Sequence, residues 1–112
     1  MQDLDITPKM ARVLKVFLED PSQPRYGFEL MRRTGLSSGT VYLMLARMEE
    51  AGLLTSGKED IDPRSEGRPA RRHYTISGAA VAAVRVQLAS LSEQYRPPVP
   101  AITRPRSQGG TA

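Results

Sequence analysis

Apolar residues first recur at helical spacing, with Met10, Val13, Leu14, Phe17 and Leu18 at i, i+3, i+4, i+7 and i+8. Lys9, Arg12 and Lys15 take the opposite side, and the pattern predicts a core-facing amphipathic helix. Thr7-Pro8 opens it, with Thr as N-cap and Pro at the first helical position, where its missing N–H costs nothing. Asp20-Pro21-Ser22-Gln23-Pro24 stops it. Residues 26–33 read as a short second helix with Leu30 and Met31 inward, followed by a Thr34-Gly35-Leu36 turn in which Leu36 plugs the corner.

The third helix has a marked beginning and end. Ser37 is an N-cap candidate, and Gly52 stands where a left-handed C-terminal cap is needed. Val41, Leu45 and Met48 form one apolar stripe, while Ser37, Ser38, Thr40, Tyr42 and Arg47 lie on the other side. Two short helices joined by a tight glycine-containing turn give a helix-turn-helix layout.

Residues 53–57 can then start a strand, and residues 71–76 alternate as a second one, with Tyr74 and Ile76 on one face and His73 and Thr75 on the other. Between them lies a polar, basic tip containing Pro63, Gly67 and Pro69. The expected fold is therefore mainly α within an α+β class: a winged helix-turn-helix with a two-stranded wing. Ser77 is a candidate N-cap for a last helix over residues 78–95. In it Val81, Val84, Leu88, Leu91 and Tyr95 are spaced 3, 4, 3 and 4, an a/d stripe suited to a partner helix. Pairing with a second copy is the economical way to cover that stripe, so the helix is read as a dimerisation element. The expected organisation is a DNA-binding unit over 1–77, a dimerisation helix over 78–95 and a disordered Pro/Arg-rich tail over 96–112.

Composition narrows the function. Residues 1–60 hold eight Lys/Arg against nine Asp/Glu, whereas residues 61–112 hold eight against three. Basic charge gathered in the half that carries the wing is the footprint of a polyanion binder. There is no cysteine and His73 is the single histidine, so no metal, cofactor or thiol chemistry is expected. Acids stand as exposed pairs (Glu49-Glu50, Glu59-Asp60), and no Gly-rich phosphate loop is present, so no enzyme is expected. No apolar run approaches the roughly 20 residues that cross a bilayer, and Met1 to Asp5 has no signal-peptide core; no membrane association and a cytoplasmic location are the expectation.

On this reading the DNA-binding candidates are Ser37, Ser38, Thr40 and Tyr42 for phosphate and groove edges, and Arg47 one to two turns on. Arg68, Arg71 and Arg72 serve on the wing, with Arg64 secondary and His73 on the adjoining strand. Each has a plainer alternative. Ser37 can simply cap its helix, Tyr42 can be a partly buried ring, Arg47 can pair with Glu50, and the wing arginines can be a solvated loop.

Four blocks carry a resemblance: Tyr26-Gly27-Phe28-Glu29-Leu30, Ser37-Ser38-Gly39-Thr40-Val41-Tyr42, Glu49-Glu50-Ala51-Gly52-Leu53-Leu54, and residues 67–77 around Gly67-Arg68-Pro69-Ala70-Arg71-Arg72-His73. In type and order they resemble the PadR family of bacterial transcriptional regulators. The chain departs from the family at Ser38 and Leu43, where proline is common, and at Gly78-Ala79-Ala80, where an acidic residue and Gly are common. The resemblance implies that Tyr42 touches the DNA backbone and that the chain dimerises through its last helix with help from the first. It also implies a nucleoid-associated repressor on a palindromic operator, released by a small planar or aromatic effector at the dimer interface. Phe17 and Tyr95 are the two of the six aromatics placed to line such a pocket. The rival reading is a winged-helix protein-interaction module in a larger assembly, against which the arginine-rich wing argues.

Overall fold

The computed structural model describes residues 4–100. Helix α1 runs Pro8–Glu19, with Thr7 Oγ1 accepting from the Met10 amide at 3.2 Å and Pro8 in its first turn. It buries Met10, Val13, Leu14, Val16 and Phe17, leaving Leu18 partly covered. Strand β1 is only Arg25–Tyr26, helix α2 is Gly27–Thr34 and helix α3 is Ser38–Glu50. The turn between the two helices passes through Gly35 at φ +74°, and Leu36 packs on the core as its corner plug.

Strand β2, Leu54–Lys58, pairs antiparallel with β3, Arg72–Ile76, in a register that sets Leu54 opposite Ile76 and Lys58 opposite Arg72. The wing is not a bare hairpin. β1 pairs with the other edge of β3, giving a three-stranded sheet in the order β1-β3-β2. Two residues are too few to show a period, which is why Tyr26 reads as helical in the sequence although it is extended and pairs with His73. The wing tip also contains a single helical turn, α4 (Pro63–Glu66), whose N-cap Asp62 accepts from the Arg64 amide at 3.0 Å. Alternation in β3 is as expected, with Tyr74 and Ile76 buried.

A 3-10 turn over Gly78–Ala80 leads into α5, Val81–Gln94. Ser77 does not cap it with its side chain. Its carbonyl accepts from the Ala80 amide, and its amide donates to Leu53 O at 2.8 Å, so Ser77 closes the sheet instead.

Helix α5 folds back on α1 and shares the one core. This changes two expectations. Val84, read as a dimerisation residue, is 1% exposed in its own protomer's core, because the helix leans back on α1 instead of standing clear of the wing. Phe17, read as a wall of an effector pocket, is fully buried at the centre of the same core. Val81, Leu88 and Leu91 are half-covered, while Tyr95 and Val86 remain exposed. Arg96 pairs with Glu93 at 2.8 Å, and the tail arginines Arg104 and Arg106 lie outside the described residues.

Candidate nucleic-acid interface

The N-terminal turn of α3 divides its hydroxyls between cap and surface. Ser37 Oγ accepts from the Thr40 amide at 3.3 Å and donates to Thr40 Oγ1 at 3.0 Å. Ser37 therefore spends both functions inside the cap, which leaves the Thr40 hydroxyl proton and the exposed Ser38 for an outside acceptor. At the other end Gly52 takes φ +83° and the Leu53 amide returns to Met48 O at 2.9 Å, which is a Schellman closure. Glycine there holds the angle at which the chain leaves α3 for β2. Arg47 is exposed on the flank of α3, and neither Glu50 nor any other carboxylate pairs with it among the described residues. With Thr40, Leu43, Met44 and Lys9 it borders a hollow of about 510 Å³ between α3 and the start of α1.

Tyr42 is 45% exposed, and its ring lies directly over Gly27 at the first turn of α2. A Cβ at Gly27 would overlap the ring carbons and hydroxyl of Tyr42. Because the ring can swing into solvent, Gly27→Ala is expected to displace Tyr42 more than it unfolds the chain. Its melting temperature should fall by only a few degrees, ~1 kcal/mol in a domain this size, while DNA affinity drops about as far as in Tyr42→Ala. A calorimetric scan beside an anisotropy titration reads both.

The wing is organised around a residue that the sequence reading passed over as a solvated acid. Glu59 accepts from Arg68 Nη1 at 2.6 Å, from Arg68 Nη2 at 3.2 Å and from the Arg71 amide at 2.9 Å. Arg68 also donates to Pro69 O at 3.2 Å. Its fork is thus engaged inside the hairpin, where Arg68 braces the wing through Glu59. The Arg68 guanidinium and the Arg71 amide together hold the Glu59 carboxyl down to about 2, against an ordinary 4.5. A depressed carboxyl contributes stability that is fully present above pH 4.5 and is lost as pH falls toward 2. The Arg71 amide resonance of the folded protein is accordingly expected to hold steady through pH 4.5 and to move only as pH falls toward about 2. In Glu59→Gln that low-pH movement should vanish, as followed by amide NMR.

His73 lies on β3, the strand position read for it. It packs against Gly57 across the β2–β3 pair and edge-on to Tyr26 at 6.0 Å, with Nδ1 buried and without a partner among the described residues. It wedges the sheet between Gly57 and Tyr26. Arg71 and Arg72 are different. The Arg71 guanidinium stands 4.9 Å over the Phe28 ring, and Arg72 Nη1 donates to Ser56 Oγ at 3.0 Å, which in turn donates to Glu49 at 2.6 Å. Neither forms an ion pair among the described residues. Phe28 itself stacks on Tyr26 at 5.5 Å.

These parts meet in one place. Tyr26, Gly27, Phe28, Tyr42, Arg71 and Arg72 line a recess of about 330 Å³ where α2, α3 and the wing converge. Beneath it, the buried Arg25 pairs with Glu29 at 2.8 Å and with Glu19 at 3.8 Å, and Glu19 also pairs with Arg33. Glu29 accepts from the Tyr26 amide as well, so the N-terminus of α2 is pinned to the end of α1. Arg25 and Glu19 are six positions apart in a proline-rich turn, and no periodicity marks them as partners. Among the described residues there is no cluster of metal-ligating side chains, and no helix is long and apolar enough to cross a membrane.

No curated protein sequence matches the chain. Its fold is similar to that of MepR from S. aureus, solved in a complex with DNA, at a TM-score of 0.63 and 15% identity, covering 82% of this chain and 69% of MepR. It is similar to the PcaV transcriptional regulator of Streptomyces coelicolor, solved with its natural ligand, at a TM-score of 0.63 and 20% identity over 92% and 70% of the two chains. A PadR family transcription regulator from Clostridium difficile R20291 aligns at a TM-score of 0.55 and 22% identity, over 76% of this chain and 95% of its own. These likenesses establish the winged-helix architecture. The sequence profile of the transcriptional regulator PadR-like family matches residues 13–83, which takes in the later part of α1, the helix-turn-helix, the whole wing and the start of α5. With its helix-turn-helix and three-stranded wing in that order, the chain belongs to the PadR-like family of transcriptional regulators.

Proposed function

We propose that this chain is a homodimeric repressor that binds a roughly palindromic operator through α3 and the wing. The observation that carries the proposal is the recess between Phe28, Tyr42, Arg71 and Arg72, where two arginines outside any ion pair among the described residues flank a tyrosine of the helix-turn-helix. A phosphate there would receive a hydroxyl donor from α3 and charge from the wing, which fixes the helix in its groove without reading sequence. Thr40, Ser38 and Arg47 extend the contact along α3, while Arg68 and His73 hold the wing in shape. MepR, of similar fold, has been solved bound to DNA, which supports this use of the scaffold.

The dimer rests on α5. Pro8, Ala11, Arg12 and Lys15 of α1 and Leu88, Leu91, Ser92 and Tyr95 of α5 border an open, mainly apolar groove of about 270 Å³. A second copy's α5 would cover Leu88, Leu91 and Tyr95. A flat aromatic acid between the copies would find Tyr95 to stack on, with Arg12 and Lys15 for its charge. PcaV, of similar fold, has been solved with its natural ligand, which supports a ligand-responsive use of the scaffold.

Genomic fragments retained by the protein provide the test. They should share an inverted repeat with half-site centres about one helical turn, ~34 Å, apart. Sedimentation should report a dimer at micromolar concentration. Retention of asymmetric single sites by a monomer would overturn the reading.

A further inference from the structure

The helical positions opposite the buried stripe of α3 have no assigned task. Gly39, Leu43, Ala46 and Glu50 recur at i, i+4, i+7 and i+11, on the far side from Val41, Leu45 and Met48. Leu43, at the middle of that stripe, is 52% exposed. Thr40 and Arg47 flank it on one side and Tyr42 on the other, and Lys9 stands across the neighbouring hollow. An apolar side chain is thus displayed at the centre of a face whose surroundings are hydroxyls and cations.

The surroundings choose the occupant. Arg47, Arg71 and Arg72 are cations outside any ion pair among the described residues, and they border this face and the adjoining recess. Charge complementarity therefore calls for a polyanion, and a helix face of this width fits the major groove of a duplex. Along that groove the base edges offer hydrogen-bond donors, acceptors and one apolar group, the 5-methyl of thymine. A leucine cannot satisfy the polar edges, and it strands them from water when pressed against them. Against a methyl group it buries apolar surface on both sides.

We infer that Leu43, with Ala46 beside it, is a specificity residue that selects thymine through its 5-methyl group. The inference rests on the DNA-binding reading above and goes beyond it by naming the base feature read. Leu43 also lines the hollow with Pro8, Met10 and Met44, which restricts the directions its side chain can take. Its neighbours Thr40 and Arg47 supply the polar contacts that hold the helix at working distance.

The test uses the full chain and a duplex selected by it from a random library, with each thymine replaced in turn by deoxyuridine. That base pairs as thymine does and lacks only the methyl group. At one or two positions in each half-site the replacement is expected to weaken wild-type binding by about three- to fivefold, the size of one methyl group's burial. Leu43→Ala and Leu43→Gln, both good helix formers, should lose that sensitivity while keeping the wild-type salt slope. Wild-type binding that ignores every deoxyuridine replacement overturns the inference, as does sensitivity that persists unchanged in both variants. A change in sedimentation of the Leu43 variants without a change in base preference also overturns it, because the leucine would then face another protein copy. Failure of the wild type to bind any duplex would remove the DNA-binding reading itself, an outcome separate from these.

Discussion

Phe17→Ala is expected to cost about 3–5 kcal/mol of folding stability. Phe17 is the largest of the fully buried side chains, and the residues around it come from several elements. Deleting its ring leaves a cavity that α1 cannot close without tilting, because Val13, Leu14 and Val16 are already committed to the same core. A domain of this length has a total stability of roughly 5–15 kcal/mol, so the loss is a large fraction of the whole. Chemical denaturation should show the midpoint falling sharply with the slope retained. The same variant separates two roles for this aromatic. If Phe17 lined an effector pocket, alanine would leave a folded protein that no longer responds to ligand. The buried position requires that the fold weaken first, and a variant of wild-type stability would contradict it.

Replacing Arg71 and Arg72 together by alanine carries the largest expected effect on binding. Each phosphate neutralised by a cation contributes about −0.9 to the slope of log affinity against log salt. The double variant should therefore flatten that slope by about 1.8 for each protomer engaged, and lose roughly tenfold in affinity per contact at low ionic strength. Arg68→Ala provides the contrast. Its guanidinium is held by Glu59, so its removal should act by loosening the tip around Arg71, and the slope should change less than in either single variant. Equal slope changes for Arg68→Ala and Arg72→Ala would show that the hairpin opens on DNA and frees Arg68. No change in the double variant would remove the wing from the interface. Titrations by anisotropy across a salt series distinguish all three results.

How much of this could be read before folding depends on the range of the interaction. Local periodicity sufficed for α1, α3 and the alternation in β3, because a stripe such as Val41, Leu45 and Met48 is a property of one segment. Cap chemistry sufficed for Thr7, Ser37 and Gly52, whose partners lie within one turn. The arginine-rich tip and its flanking strands were equally visible as a run of residues. The failures at β1, Arg68 and Val84 are non-local. β1 has two residues and exists only because β3 offers an open edge. Arg68 looks available until the hairpin folds Glu59 against it, and Val84 looks free for a partner until α5 lies back on α1.

The sequence alone determined the order of the four main helices and the two wing strands, the family, the apolar stripes that bury and the segment in which cationic charge gathers, because each is written in spacing along one stretch of chain. Only the tertiary structure decided which arginines remain outside ion pairs among the described residues, that Tyr42 rests on Gly27, and that Val84 serves the core of its own protomer. Those outcomes turn on distances between residues far apart in the chain, and such distances come into being when the elements pack.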